Sequence, residues 1–184
     1  MIIGLSGYAQ SGKDTVANIL VENYGYQRIA FADPIRDLLY EMDPLIPKGY
    51  GDNIINYRLQ DMVNTYGWDK LKVDFPEVRR LLQDTGVGAR KIFGDKFWIY
   101  QALSDVAPQD KVVVSDVRFE NEAEWIQEFN GQIWRIKRVG TDAANDHVSE
   151  SEMDGYPVNQ IFVNNGTLDD LKVLIQTRMR SYDV

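Results

Sequence analysis

Gly7-Tyr8-Ala9-Gln10-Ser11-Gly12-Lys13-Asp14-Thr15 is the stretch on which the reading of this chain turns. Glycine, four residues, glycine and lysine make the P-loop pattern. Gly7 and Gly12 permit a backbone path and a close approach that a Cβ would obstruct. The amides of Gly7, Ala9, Gln10, Ser11 and Gly12, and those of the first helical turn through Thr15, are then able to point at phosphate oxygens. Lys13 reaches the β- and γ-phosphates as a point charge. One position departs from the usual pattern, because Asp14 follows the lysine where Ser or Thr is common, and Thr15 comes one place later. Either the Asp14 carboxylate, through water, or the Thr15 hydroxyl can serve a magnesium ion. The flanks argue against a ligand-free glycine turn. Residues 1–5 are an apolar run that reads as a buried strand, and residues 12–24 read as a helix with Val16, Ile19 and Leu20 at helical spacing and Gly25 beyond its end.

Outward from the loop, strands and helices alternate. Residues 28–31 read as a strand, and Asp33-Pro34 starts a helix with Asp33 as N-cap and Pro34 at the first position. Residues 41–75, with Pro44, Pro47, Gly49 and Gly51, show no legible periodicity. Pro76 opens a helix through about Thr85, and residues 97–106 read as helical. Residues 111–114 are the clearest interior strand. A helix follows with Ala123, Ile126 and Phe129 on one face and Gly131 as its stop. Residues 133–136 and 160–163 are further strands. Thr167 caps a last helix with the stripe Leu168, Leu171, Leu174 and Ile175. This order implies a parallel α/β sheet, and neither a repeat nor a linker divides the 184 residues, so a single domain is expected.

Composition narrows the function. Hydrophobic residues make up 44% and charged residues 26%, ordinary for a globular protein. No apolar run approaches the roughly 18–20 residues of a membrane helix. Met1 leads into Ile2-Ile3 without the basic segment of a secretory leader. The absence of cysteine excludes disulfides, thiolate zinc sites and thiol nucleophiles, and agrees with a cytoplasmic location. The net charge of −8 argues against a nucleic-acid polymer as partner, while a small anionic ligand needs only a few local cations and amides.

Beyond the loop, Ser115-Asp116-Val117-Arg118 continues the strand at 111–114, and ligands of open α/β sheets sit at the carboxyl ends of strands. Asp116 there can orient magnesium water or accept a proton, and Arg118 can neutralise charge on a transferring phosphoryl group. In the helix from Pro76, Val78, Leu81 and Leu82 share one face, while Arg80, Gln83 and Asp84 project from the other. Arg80 can fork onto a monophosphate, and Gln83 and Asp84 can bond a base edge or sugar. Arg36 is a second candidate cation. Arg135 and Lys137 share a strand face, with Arg138 on the other. The lone His147, beside Ser149 and Glu150, has the residue types of a triad without evidence of its geometry.

Together these motifs resemble the deoxynucleoside monophosphate kinases of tailed bacteriophages along nearly the whole chain. The resemblance rests on Ser6-Gly7 through Gly12-Lys13-Asp14-Thr15, Asp33-Pro34-Ile35-Arg36, Arg79 to Gln83 followed by Thr85-Gly86, and Phe97-Trp98. It continues with Asp116-Val117-Arg118, His147 with Ser149-Glu150, and Asn164-Asn165-Gly166-Thr167-Leu168. It implies a three-layer, adenylate-kinase-like P-loop fold with a central parallel sheet of about five strands. ATP is the implied co-substrate, with Mg2+ at Asp14, Thr15 and Asp116, and Lys13, Asp116 and Arg118 are catalytic. The implied acceptor site takes Asp33, Arg36, Arg80, Gln83, Asp84, Thr85, Gly86, Trp98, Arg118 and Glu122. Residues 33–106 are the implied acceptor region, and residues about 137–155, with Arg138, a candidate lid. The partners are small nucleotides, a homodimer is compatible, and a phage enzyme would work in host cytoplasm. Two rival readings keep the fold: a dephospho-coenzyme A kinase, and a nucleotide-gated regulatory module without catalysis.

Overall fold

The computed structural model describes residues 1–50, 53–107, 109–141 and 152–182. Along the chain run β1 (Ile2–Ser6), α1 (Lys13–Tyr24), β2 (Gln27–Ile29), α2 (Asp33–Met42), β3 (Leu45–Tyr50), β4 (Asn53–Arg58), α3 (Leu59–Asp74) and α4 (Pro76–Phe93). They are followed by α5 (Phe97–Ala102), β5 (Val112–Val114), α6 (Glu120–Glu128), β6 (Gln132–Lys137), β7 (Gln160–Val163) and α7 (Leu168–Arg180). The chain divides into two compact units, one made of Met1–Phe31 with Leu103–Val184, the other of Ala32–Ala102.

The first unit is a five-stranded sheet in the order β2-β5-β1-β6-β7, with every neighbouring pair parallel. β1 lies at its centre, Ile3 opposite Val113 on one side and Gln132 on the other. Alternation along β1 sends Ile3 and Leu5 into one core with Val16, Leu20, Leu171 and Ile175 of α1 and α7. Gly4 faces the other way, where Ile126 of α6 packs so closely that a Cβ would stand 2.7 Å from its Cδ1. Helices therefore cover both faces, which makes the three-layer α/β fold. Chain order reverses at β1, since β5 and β2 lie on one side and β6 and β7 on the other. That is where such sheets open a ligand crevice, at the carboxyl ends of the strands.

The second unit packs Leu39, Ile46, Leu59, Met62, Leu71 and Val78 into a separate core. Its unreadable stretch proves to be the antiparallel hairpin β3–β4, with Leu45 opposite Arg58, followed by α3. Within α3 the backbone breaks at Gly67, at φ 73° and ψ 157°.

Several local expectations need correction. The N-cap of α2 is Ala32, not Asp33, whose carboxylate instead accepts from Arg36 Nη1 at 2.8 Å. α4 runs on to Phe93 rather than ending near Thr85. α5 stops at Ala102 rather than 106. In α6, Ala123 and Ile126 are buried, but Phe129 is exposed, its ring against Trp125 at 4.4 Å. In α7 the buried stripe is Leu171, Ile175 and Met179, and Leu168 and Leu174 face outward. The Thr167 cap is as expected: its hydroxyl accepts from the Asp170 amide, and the Asp170 carboxylate reaches back to the Thr167 amide.

Candidate active site

Three positive φ angles in six residues shape the loop after β1: Gly7 at 134°, Gln10 at 62° and Gly12 at 103°. Within this turn the Ser11 amide donates to the Tyr8 carbonyl at 3.3 Å, and a turn of this kind can form an anion-binding concavity. Contact as well as dihedral angle demands both glycines. A Cβ on Gly7 would stand 2.2 Å from the Ile136 carbonyl oxygen, and one on Gly12 2.3 Å from Asn164 Nδ2. The Lys13 ammonium curls over the loop and donates to the carbonyls of Gly7 and Tyr8, each at 2.7 Å. Asp14 is exposed and Thr15 half-buried on the first turn of α1. The hydroxyls of Ser6 and Ser11 are buried and make no hydrogen bond among the described residues.

The residues after β5 are stitched between two strand ends. Ser115 N donates to Ile29 O at 2.9 Å, Val117 N to Leu5 O at 3.0 Å, and Asp116 Oδ1 accepts from Phe31 N at 2.8 Å. This brings Arg118 to the wall of a cavity of about 390 Å³ that also meets Gly7, Tyr8 and Ala9 of the loop. Arg135, Lys137 and Arg138, from β6 and just beyond it, line the same cavity, and Asp154 is the carboxylate among its lining residues. Among the described lining residues four cations stand against one acid, a charge balance that favours an anion. Glu122 is withdrawn from any such ligand: it is buried, and its Oε2 accepts from the amides of Arg118 and Phe119 at 2.8 and 3.1 Å, capping α6.

In the second unit, Arg80 is held at the surface. Its Nε and Nη2 fork onto Glu77 at 2.8 and 2.6 Å, and its Nη1 meets Asp84 at 2.5 Å. The fork holds the Glu77 carboxyl below its usual range and raises the Arg80 guanidinium. Arg36 is half-buried, paired with Asp33, and its Nε has no hydrogen-bond partner among the described residues. Gln83, Thr85 and Gly86 are half-buried. Trp98 is a core residue, 4% exposed, whose Nε1 donates to the Gly86 carbonyl at 2.8 Å. His147, Ser149 and Glu150, with the candidate-lid residues 142–151, lie outside the described residues.

The sequence reading gave no individual role to Tyr8 or Asn164, and it read Arg135 only as a cation sharing a strand face with Lys137. Tyr8, inside the loop, donates its hydroxyl to Asp154 Oδ2 at 2.6 Å. The Arg135 guanidinium donates to the carbonyls of Met153, Asp154 (3.1 Å) and Tyr156 (3.0 Å), and its partial burial pulls its pKa down. Asn164, just after β7, donates from Nδ2 to the Ser11 carbonyl at 2.9 Å. For Asn164 the available signal was the polar Asn164-Asn165-Gly166 run at a strand end.

The deoxynucleotide monophosphate kinase family matches residues 42–175. The putative deoxynucleotide monophosphate kinase of Acanthamoeba polyphaga mimivirus is 32% identical over 183 residues, covering 92% of this chain and 91% of that protein. The deoxynucleoside-5'-monophosphate kinase of Escherichia phage T5 is 26% identical, over 71% of this chain and 73% of its own. Among solved structures, a shikimate kinase from Aquifex aeolicus aligns over 100% of this chain and 98% of its own with a TM-score of 0.46 and 8% identity. Family match and viral relative together span nearly all of the sequence, and the chain belongs to the deoxynucleotide monophosphate kinase family.

Proposed function

We propose that the protein moves the γ-phosphoryl group of ATP onto a deoxynucleoside monophosphate, releasing the diphosphate and ADP. The observation that supports this best is the phosphate loop, with Lys13 and a four-cation cavity at the carboxyl ends of β1 and β6. An oxygen of the acceptor phosphate attacks the γ-phosphorus as the bond to the β-phosphate oxygen breaks. The acceptor is already largely dianionic at neutral pH, its second pKa being about 6, so no strong general base is needed. Lys13 exchanges its two carbonyl partners for phosphate oxygens. Arg118 and Arg138 neutralise charge that grows on the transferring group.

Magnesium, when bound, would supply charge neutralisation for the donor phosphates. Asp14, Thr15 and Asp116 are the donors that would hold it, directly or through water. This sparse donor set fits, because Mg2+ keeps several waters and takes one or two carboxylates beside phosphate oxygens. Arg36 and Arg80 take the acceptor phosphate, and Asp33, Gln83, Asp84 and Thr85 its sugar and base. Trp98, hydrogen-bonded to Gly86, holds α4, and Glu122 holds the backbone of Arg118. Relatives in a giant virus and a phage extend the reading to supply of DNA precursors in host cytoplasm.

The test is to incubate the protein with ATP, Mg2+ and each of the four deoxynucleoside monophosphates, with dephospho-coenzyme A as a further arm, and to separate products by anion exchange. A deoxynucleoside diphosphate is expected. Phosphorylation of dephospho-coenzyme A alone, or ATP hydrolysis without transfer, would refute the reading.

Two predictions arise here. Arg80 is occupied by Glu77 and Asp84 in the free protein, so the acceptor phosphate has to displace carboxylates. Arg80→Ala raises the KM for the monophosphate by about tenfold to a hundredfold, the worth of a charge-assisted hydrogen bond, and leaves the KM for ATP nearly unchanged. Arg80→Lys restores little, because a fork becomes a point charge. Steady-state kinetics with each substrate varied checks this, and equal effects on both substrates would remove Arg80 from the acceptor site. Asp116→Asn keeps an acceptor for the Phe31 amide while removing the charge. This variant and Arg118→Ala each lower kcat by about a hundredfold with modest change in either KM. Asp116→Asn also shifts the Mg2+ dependence. Unchanged kcat with weaker binding of both substrates would make the pair positioning residues only.

A further inference from the structure

We infer that Asn164 is a positioning residue of the donor phosphate site, holding the Ser11–Gly12 peptide group so that the Gly12 amide faces the phosphates. The inference rests on the kinase reading above. Asn164 follows β7 directly and stands 153 positions from Ser11. Its backbone is anchored to the sheet: Asn164 N donates to Lys137 O at 2.7 Å, beyond the register pair of Lys137 with Val163. The side chain therefore leaves from a rigid strand end, and its Nδ2 donates to the Ser11 carbonyl at 2.9 Å.

A peptide group is planar, and when it is trans its C=O and N–H point in opposite directions. The described chain has no cis peptide bond. Fixing the Ser11 carbonyl toward Asn164 thus turns the Gly12 N–H to the opposite side. That amide makes no hydrogen bond among the described residues. The restraint is needed because Gly12, at φ 103°, has no Cβ to hinder rotation of the peptide. The dependence is mutual. Only glycine leaves room for the Asn164 amide, which lies 2.3 Å from where a Cβ at position 12 would stand. Glycine admits the side chain, and the side chain removes the freedom glycine brings.

The test uses Asn164→Ala and the isosteric Asn164→Asp, which cannot donate to a carbonyl. ADP binding by calorimetry, KM for ATP, KM for the monophosphate and Tm are measured on both. Asn164→Ala weakens ADP binding and raises KM for ATP about tenfold, as expected for one lost hydrogen bond and a misdirected donor. Asn164→Asp has the larger effect, since its charge also repels phosphate. The KM for the monophosphate and the Tm stay close to wild type. In the unsubstituted protein, the nitrogen-15 NMR signal of the Gly12 amide shifts on adding ADP, a readout that does not require a variant to fold. An unmoved Gly12 signal, unchanged ADP binding in both variants, or parallel rises in both KM values would each overturn the inference. A wild-type enzyme that makes the diphosphate while the variants match it overturns this inference alone. Failure of the wild type to bind ADP would overturn the kinase reading and this inference with it.

Discussion

Replacing Lys13 with Ala or Met lowers kcat for phosphoryl transfer by about a hundredfold to a thousandfold, the usual loss when a preorganised charge-stabilising donor is removed. The lysine bridges two loop carbonyls, Gly7 and Tyr8, at 2.7 Å each. From that position it can exchange these carbonyls for phosphate oxygens and bring its positive charge to them. Removing the side chain takes that charge away from the transferring group. The loss therefore exceeds that of a simple surface cation. Little apolar packing goes with it, because Lys13 is half-buried and its partners are backbone oxygens. Circular dichroism and Tm should be near wild type. Turnover with ATP within a few-fold of wild type would end the assignment of this loop as the donor site.

Gly7→Ala gives the largest expected loss of stability. Its φ of 134° is strained for any L side chain, which alone costs on the order of 1–3 kcal/mol. The new methyl would also stand 2.2 Å from the Ile136 carbonyl oxygen, a backbone atom of β6 that cannot turn aside. Either β1 and β6 separate at this end or the loop moves. The combined loss is about 3 kcal/mol or more, a Tm lowered by roughly 6–12 °C for a chain of this size. Gly25→Ala is the control, with a positive φ of 71° and no atom within 4 Å of the added methyl. Urea denaturation should separate the two variants by more than about 1 kcal/mol. Equal losses would mean that contact with Ile136 contributes nothing.

The loop and the sheet were legible because their physics is local. Residues 1–5 form an apolar run that ends at Ser6, the motif needs its glycines at set places, and Thr167 caps through an oxygen three residues from its partner. What escaped depends on contacts the sequence does not display. Helix α4 passes through Gly86 and Gly88, each worth about 1 kcal/mol against helix relative to Ala. Tertiary support outweighs that local preference: Ile35 packs against Gly86, and the Trp98 indole donates to its carbonyl. The β3–β4 hairpin lacked an alternating pattern because most of its described residues are exposed, with only Ile46 buried. Leu174 and Phe129 misled because an apolar residue is not obliged to be inside. In the site, residues on the loop were readable from the motif. Asn164 was not, since a bond between positions 11 and 164 exists only once β7 lies in the sheet.

The strand order carries a consequence for how the chain is made. Ile3 pairs with Val113 and Gln132, partners more than a hundred residues further along. β2 waits for the same segment, with Arg28 opposite Val113. No pair in the five-stranded sheet can form until β5 has left the ribosome, whereas the elements between Ala32 and Ala102 have their partners close by in sequence. Non-local parallel pairing folds slowly, since the chain between must be ordered before any contact stabilises it. During that interval β1 is a finished apolar strand with both edges bare, which is the form in which nascent chains associate. A transcript cut short before Val112 therefore yields a product that holds the whole phosphate loop and cannot build the sheet that shapes it.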